Sequence, residues 1–349
     1  MSNSPKIAIA IIHYGTPQFI KSCLDSITTQ TNPNIEIFFI DNNSADTAWK
    51  EIIKENYGNR ANLKVIANDQ NLGYAKAANQ GIRLAMEAQA KYAVITNPDI
   101  IYSPQYFEKI VDHMEKNPKI AAITGKIYHY DFDRERPTNI IDTVGLFAYK
   151  NRRVIDDGQG LIDEGQFDEE CEVFGVSGAC PLYRIDALED VKIMDEYMDE
   201  DFFMYKEDVD LSWRFLLYGW KNLYYPAAVA YHGRGTGVHR RFFNKEIIRH
   251  RHRLSRFQKK FAFTNQHLMQ VKNELWQNFF KDFAAIVKRK LGMAIYITFR
   301  EPYLWGSYLK YLRKLPRALK KRSIIMKNRR ATVEEMGKWF QKQSKYLLK

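Results

Sequence analysis

Cysteine is scarce in this chain of 349 residues: there are three, Cys23, Cys171 and Cys180, odd in number, widely spaced and each in an apolar context. That excludes a disulfide framework or a zinc site and fits reduced core residues in a cytosolic protein. Long hydrophobic runs are also lacking. The start, MSNSPKIAIAIIHYG, has a polar lead and a six-residue apolar run, too short and wrongly flanked for a signal peptide, so it reads as a first strand. The stretch Gly292–Leu309 is broken by Arg300, Glu301 and Pro302. A spanning helix needs about 20 mostly apolar residues, so an interfacial segment is expected there rather than a transmembrane one. Neither GxGxxG nor GxxxxGKS follows the early strands, which argues against a dinucleotide fingerprint or a P-loop. Acidic residues are thin in the last third: Arg234 to Lys349 holds 30 Lys and Arg against 6 Asp and Glu, while the first 233 residues hold 23 against 35. The net charge of +12 thus hides an acidic body and a basic C-terminal region. Such a split points to an anionic partner, either nucleic acid or an anionic membrane surface.

What the chain does have is a core. Hydrophobic residues make up 45% of it, enough for one large domain or two ordinary ones. Its first ~125 residues alternate β-branched runs with amphipathic stretches, the pattern of βαβ units and a mostly parallel sheet. Strands are expected at Ile7–Ile12, Ile35–Ile40, Leu63–Ala67 and Tyr92–Thr96, and helices at Pro17–Thr29, Ala45–Asn56, Tyr74–Ala88 and Pro104–Lys116. Thr16-Pro17 and Ser103-Pro104 read as caps followed by proline at the first helical position. In such a sheet, ligands sit beyond the carboxyl ends of the strands. All four ends are polar: His13-Tyr14-Gly15; Asp41-Asn42-Asn43-Ser44; Asn68-Asp69-Gln70-Asn71 with Gly73; and Asn97-Pro98-Asp99. They predict one crevice suited to a nucleotide, with Asp41 able to accept hydrogen bonds from a base edge or ribose. Asp41 could equally cap the following helix.

From Gly125 to Gly175 the pattern breaks into short strands and loops expected to cover one mouth of the crevice. Gly175 to Arg184, GVSGACPLYR, is either a place where a ligand approaches the backbone or a tight strand crossing. Tyr205 to His232 is the most informative segment. Glu207, Asp208 and Asp210 put three carboxylates within one helical turn, where repulsion and partial burial can hold one near the pKa of a general base. Val209, Trp213, Leu216 and Leu217 mark one helix face. On that geometry Asp208 and Asp210 point apart, so at most one faces the crevice. Leu223–His232 reads as a buried strand that delivers an imidazole to the same end of the sheet, and a carboxylate with a distant His and Asp points to metal-assisted chemistry. In isolation His232 could be a packed histidine, Trp213 and Phe202-Phe203 are simplest as core, and Arg184 could pair with an acid or reach a phosphate or sugar. Beyond His232, Gly233, Gly235 and Gly237 read as a mobile loop, followed by basic helices at Lys245–Phe261 and Gln266–Met293.

In order along the chain stand AIIHYGTPQFIKSCLDSI, IFFIDNNSADTA, NLGYAKAANQGI, VITNPDI, VFGVSGACPLYR, DEDFFMYKEDVDLSWR and PAAVAYH. Together these segments, covering about Ile7 to Phe261, resemble the inverting glycosyltransferases of family 2, most closely the rhamnosyltransferase-like branch. The resemblance implies a GT-A fold, an α/β architecture with a Rossmann-like, mostly parallel sheet flanked by helices. It implies that Asp41 recognises the nucleotide base, with Tyr14 beside it and Asn71, Gly73, Asn79 and Asn97 shaping the nucleotide-sugar pocket. Asp99 matches the last position of a DxD-like motif and would bind Mg²⁺ or Mn²⁺ at the donor diphosphate, with His232 completing the metal or diphosphate site. Asp208 matches the catalytic base, and Glu207 is its rival. Two departures stand out: Asn97-Pro98-Asp99 carries one carboxylate rather than two, and His13-Tyr14-Gly15 replaces the more usual Thr-Tyr-Asn.

The resulting expectation is a GT-A catalytic domain over residues 1–240, with a nucleotide-sugar half to about 125 and an acceptor half from 126, and a basic amphipathic helical region over 241–349. The reaction implied is inverting transfer of a sugar, rhamnose from dTDP-rhamnose first and a UDP-hexose or UDP-N-acetylhexosamine second, onto a glycan or lipid-linked oligosaccharide of the cell surface. The enzyme would work in the cytoplasm at the inner face of the membrane, with homo-oligomers open. A nucleotide- and nucleic-acid-binding protein without catalysis is the competing class, disfavoured because no recognised nucleic-acid motif is present and the C-terminal aromatics sit in an apolar, proline-interrupted stretch.

Overall fold

The computed structural model describes residues 4–32, 34–233, 251 and 254–347. The Gly235/Gly237 loop and the start of the expected Lys245–Phe261 helix lie outside them. In chain order the elements are β1 (Ile7–His13), α1 (Ile20–Thr28), β2 (Ile35–Asp41), α2 (Ala48–Tyr57), β3 (Leu63–Ala67), α3 (Tyr74–Glu87), β4 (Tyr92–Thr96), β5 (Ile100–Tyr102) and α4 (Tyr106–Lys116). Next come β6 (Ile120–Asp131), β7 (Arg136–Thr143), β8 (Leu146–Tyr149), β9 (Val154–Asp156), β10 (Cys171–Val173), β11 (Leu182–Arg184), α5 (Ile185–Asp190), α6 (Glu207–Leu217) and β12 (Lys221–His232). Among the described residues five helices follow: α7 (Arg256–Asn273), α8 (Trp276–Lys281), α9 (Phe283–Arg300), α10 (Gly306–Asn328) and α11 (Val333–Gly337), then β13 (Phe340–Gln341).

The main sheet runs β10-β12-β6-β11-β4-β1-β2-β3, with β5 added on β12 and β7 on β6. Its N-terminal half is parallel, as the βαβ pattern requires, with β1 between β2 and β4. The other half is mixed: β11 runs antiparallel to both β4 and β6, whereas β12 is parallel to β6. β1, IAIAIIH, is buried throughout, which is why it reads as a continuous apolar run rather than an alternating one. Its side chains still divide by parity: Ala8, Ala10 and Ile12 enter the core under α3, and Ile7, Ile9 and Ile11 the core under α1, α2 and α4. Alanines suit the α3 side because the helix lies very close. A Cβ on Gly81 would come within 2.5 Å of the Ala10 Cβ.

Two expectations at helix starts are corrected. Thr16 makes no side-chain cap; its amide donates to His13 Nε2 at 3.2 Å, and Pro17 opens a single 3-10 turn before α1. Helix α4 starts at Tyr106 rather than Pro104, with Gln105 before it. Helix α6 is also less amphipathic than its sequence: every residue but Asp208 is buried, because α7 covers the face that the apolar periodicity leaves polar.

Position 240 does not separate two cores. Leu268 and Met269 of α7, Ala318 and Ile325 of α10, Met336 and Phe340 pack in the same cluster as α6. Strand β13 adds in parallel to β8 in a small sheet ordered β13-β8-β9. The basic C-terminal region is therefore a cover on the acidic body, held partly by buried ion pairs. Lys272 bonds Asp199 and lies 2.9 Å from Asp210, while Lys321 reaches Glu196 at 2.7 Å, Asp199 at 2.6 Å and Asp201 at 3.0 Å. Although burial alone would raise the Asp199 carboxyl, these two lysines hold it well below the usual carboxylate range.

Candidate active site

The parallel register sets His13 against Asp41, and the side chains meet: His13 Nδ1 lies 2.8 Å from Asp41 Oδ1, with both residues buried. Asp41 Oδ2 accepts the Ser44 amide at 3.1 Å. Asp41 thus holds its own turn rather than capping α2, whose N-cap position is Thr47, and it also anchors His13 beneath the crevice. Burial lowers the His13 pKa despite this carboxylate. Asn42, not singled out from the sequence, is the hub of the next turn. Its Oδ1 accepts the Leu72 amide and Asn68 Nδ2, at 3.1 and 3.2 Å, and its Nδ2 donates to Asn71 Oδ1 at 3.1 Å. Asn71 in turn accepts the Gly73 amide at 2.9 Å. Gly73 has φ +80, and a Cβ there would stand 2.5 Å from the Phe203 ring, so the position needs glycine twice over.

These turns wall a crevice of about 770 Å³ whose lining includes Tyr14, Asn42, Asn71, Gly73, Asn97, Asp99 and Phe203. Tyr14 is 57% exposed, free to lie against a ligand. Asn79 is not on this wall. It is fully buried and its amide is used up on Met198, donating to the carbonyl at 2.9 Å and accepting the amide at 2.8 Å, with Glu200 as a further acceptor at 3.0 Å. Asn79 therefore ties α3 to the loop before α6, and shapes the crevice only through that loop. The other side of the crevice comes from the C-terminal cover, as Ser255, Phe257 and Gln258.

A second chamber of about 460 Å³ adjoins the first, sharing Tyr74, Asn97 and Met204, and contains Glu207, Asp208, His232 and Asp156. Asp208 is half-buried there. Its Oδ2 accepts the Gly178 amide at 2.9 Å and its Oδ1 the Val209 amide at 2.7 Å. Burial raises its pKa, partly offset by the Gly178 amide. Glu207 is more enclosed, and its Oε2 is buried without a hydrogen-bond partner. Burial and then the Asp208 charge push it up to about 8. Asp210 faces away, fully buried, bonded to Asn273 Nδ2 at 2.7 Å and Arg214 Nε at 3.2 Å, as the helical geometry predicts. The Gly175–Arg184 passage holds a tight strand crossing at one end and lines the chamber at the other. Gly175 is a tight crossing, where a Cβ would meet Ser212 at 2.4 Å, whereas Gly178 presents its amide to Asp208.

The loop before α6 is strained. Phe203, Tyr205 and Lys206 have φ of 62, 71 and 77, conformations that cost about 1–3 kcal/mol each and persist only where the surroundings impose them. Here Asn265 of α7 imposes them: its buried Nδ2 reaches the carbonyls of Phe202, Met204 and Tyr205 at 2.8, 2.8 and 2.9 Å. Trp213 and Phe202 are core, while Phe203 lines the crevice and stacks on Phe261 at 5.1 Å. Arg184 pairs with neither an acid nor the crevice. It is buried and donates to the carbonyls of Ile120 and Met114 at 2.9 and 2.7 Å.

Strand β12 brings the last piece. Antiparallel pairing sets His232 against Ile100, next to Asp99, and His232 Nε2 lies 3.3 Å from Asp99 Oδ2. Its Nδ1 lies 2.9 Å from Asp142 Oδ2, on a fully buried carboxylate of β7 that the sequence did not single out. Burial would lower the His232 pKa, but Asp99 and Asp142 together push it up to about 10. Among the described residues no group of three or more His, Cys, Asp or Glu forms a metal-binding cluster. Asp99 and His232 are a pair at the junction of crevice and chamber. Asp99 offers a hard cation one carboxylate oxygen, and His232, whose ring nitrogens face Asp99 and Asp142, adds a nitrogen only on giving up a proton. A cation there would take its remaining ligands from a bound diphosphate and water.

An open, partly parallel sheet flanked by helices, with its crevice at the strand ends and two adjacent carboxylates, Glu207 and Asp208, in the adjoining chamber, fits the GT-A class of architecture. A solved structure, that of GalNAc-T7 with UDP, GalNAc and Mn²⁺, shares the fold with a TM-score of 0.52 over 77% of this chain and 52% of its own, at 14% identity. The family model for Glycosyl transferase family 2 matches residues 8–192, just over half of the chain, and the chain belongs to that family. Among curated relatives, an uncharacterized glycosyltransferase of Haemophilus influenzae is 31% identical over 35% of this chain and 37% of its own length. The N-acetylglucosaminyl-diphospho-decaprenol L-rhamnosyltransferase of Mycobacterium tuberculosis is 24% identical over 65% of this chain and 75% of its own. A poly-beta-1,6-N-acetyl-D-glucosamine synthase of Staphylococcus epidermidis is 26% identical over 64% and 49%. The chain thus spans from about a third to three quarters of the relatives it matches.

Proposed function

We propose that the protein is an inverting glycosyltransferase that moves a sugar from a nucleoside diphosphate donor to a hydroxyl of a glycan or lipid-linked acceptor. One observation carries this reading: Asp208, oriented by the Gly178 amide, opens half-exposed on a chamber that meets the strand-end crevice at Tyr74, Asn97 and Met204, with Asp99 on the crevice side. The donor lies in the crevice, with its base and ribose among Tyr14, Asn42, Asn71 and Gly73 and its diphosphate toward Asp99. The acceptor enters the chamber, where Asp208 takes the proton of the attacking hydroxyl. A single base on the face opposite the leaving group is sufficient for inversion. Glu207, favoured in its protonated form by burial, keeps a second negative charge away from that step and is the weaker candidate for the base. Asp99 and His232 would hold Mg²⁺ or Mn²⁺, which supplies Lewis-acid stabilisation of the departing diphosphate. Asp142 fixes the orientation of His232 there, in the manner of a carboxylate behind a metal-binding imidazole.

Rhamnose from dTDP-rhamnose is the donor reading favoured by the mycobacterial relative, which acts on an N-acetylglucosaminyl-diphospho lipid. The staphylococcal synthase favours a UDP-N-acetylhexosamine as the second reading. No helix among the described residues is long and apolar enough to cross a membrane. The exposed large apolar side chains concentrate instead on α8, α9 and α10, among them Phe280, Phe299 and Leu309, which supports peripheral association with an anionic inner leaflet. Thermal shift with dTDP-rhamnose, UDP-glucose and UDP-N-acetylglucosamine, each with and without Mn²⁺, followed by turnover on a polyprenyl-diphosphate sugar, tests the proposal. A metal-dependent shift and turnover with one donor is expected. Absence of both with every donor would sink it.

A further inference from the structure

The match to the family model ends at residue 192, yet the strand-end crevice is completed beyond it, by Ser255, Phe257 and Gln258 at the start of α7. The two polar side chains of this set are engaged on the helix and its neighbour. Ser255 Oγ accepts the Gln258 amide at 3.2 Å, and Gln258 Oε1 accepts the Ser255 amide at 2.8 Å, the reciprocal box that secures a helix N-terminus. Gln258 Nε2 donates to the Tyr205 hydroxyl at 2.8 Å. What the cover contributes to the crevice is therefore chiefly the Phe257 ring, which is 53% exposed.

That ring is fixed in place by two others. Its centroid lies 4.8 Å from that of Phe261 and 5.9 Å from that of Phe203, both at steep interplanar angles, while Phe203 and Phe261 stack at 5.1 Å. Phe203 is also the ring against which Gly73 packs. An aromatic ring held this way, and still half exposed inside a concave wall of amides, keeps apolar area that a ligand in the crevice would cover. The same crevice holds a second exposed ring, Tyr14. The carboxylate expected to recognise a base is committed elsewhere, since Asp41 is buried on His13 and the Ser44 amide. Stacking suits a nucleobase under those conditions, because every base has a π-face whatever its hydrogen-bonding edge.

We propose that Phe257 is a base-stacking residue of the donor site, supplied by the C-terminal cover, and that it and Tyr14 bind the nucleobase through their ring faces. The inference rests on the donor reading above and deepens it by adding a residue from outside the matched family region. It makes the donor site complete only with the cover folded onto the body.

The test titrates the full chain with UDP and with dTDP, in the presence of Mn²⁺, by calorimetry. The unaltered chain is compared with Phe257→Ala, Phe257→Leu and Phe257→Trp. Leucine keeps apolar volume against Phe203 and Phe261 but has no π-face, whereas tryptophan keeps the π-face. The alanine and leucine variants should both bind the nucleotides roughly ten- to hundredfold more weakly, the range of one lost base stack. The tryptophan variant should bind like the unaltered chain, and its added emission should be quenched as either nucleotide saturates it. Leucine binding as well as tryptophan would make the ring a packing element and overturn the proposal. Unchanged affinity in all three variants, or nucleotide binding that leaves the added emission unquenched, would overturn it too. In each of those cases the unaltered chain still binds nucleotide and the donor reading stands. If the unaltered chain binds neither UDP nor dTDP, the donor reading itself fails and this inference falls with it.

Discussion

Three carboxylates start helix α6, and they meet two different fates. On the crevice side, Glu207 and Asp208 form no ion pair among the described residues, and burial pushes both toward their protonated forms against the opposing charge of Lys206. On the cover side, one turn away, Asp210 is bonded to Asn273, Arg214 and Lys272. The contrast extends beyond the helix. Asp199, Asp201 and Glu196 are neutralised by Lys272 and Lys321, whereas the chamber is lined by carboxylates whose proton affinity is left adjustable. Charge that fastens the cover is compensated and fixed; charge that has to exchange a proton is kept free of salt bridges, because a salt-bridged carboxylate is too weak a base for the task.

The largest expected effect comes from Asp208→Asn. Turnover should fall by roughly 10²–10⁴-fold, the usual contribution of a general base, with donor affinity retained in a binding assay; unchanged turnover would place the base elsewhere. Next, Lys321→Met should remove about 3–5 kcal/mol of stability in denaturant unfolding, because it strands buried carboxylates without their cation. A loss under 1 kcal/mol would mean that the cover is not fastened by charge. Asn265→Ala tests whether the cover also shapes the site. It frees three loop carbonyls and lets the left-handed stretch at Phe203–Lys206 relax, so kcat should drop about tenfold, the equivalent of one lost hydrogen-bonded constraint. A drop in stability with kcat intact would separate the two regions after all.

The smallest effect concerns pH. Since the Glu207 pKa rises on folding from 4.5 to about 8, the folded state binds the extra proton between those values, and stability falls as pH climbs through that window. Glu207→Gln should flatten that decline relative to the unaltered chain when melting temperature is followed from pH 5 to pH 8.5. Parallel profiles for the two would show that Glu207 is not held in its acid form.

The order of the motifs, the four parallel strands and the polar turns beyond them were legible because each rests on local chemistry: β-branched runs that must be buried, and small polar residues that only turns accommodate. The positions of Asp99, Asp208 and His232 follow the same logic, between two strands, in the first turn of a helix and at a strand end. Asn79 was misread as a pocket residue, since nothing local distinguishes an amide facing a ligand from one facing the Met198 backbone. Asp142 and Asn265 gave no signal, because their importance lies in partners 90 and about 60 residues away.

By itself the sequence determined the α/β frame, the family and the carboxylate cluster at the start of α6, since strand periodicity and loop composition act over a few residues. Only the tertiary structure decided that the basic C-terminal region is a cover sharing the body's core, that Asp41 is bonded to His13 beneath the crevice, and that Lys272 and Lys321 meet the buried carboxylates of the body. Those outcomes depend on which distant side chains share a low-dielectric interior, and charge counted along a chain carries no record of that pairing.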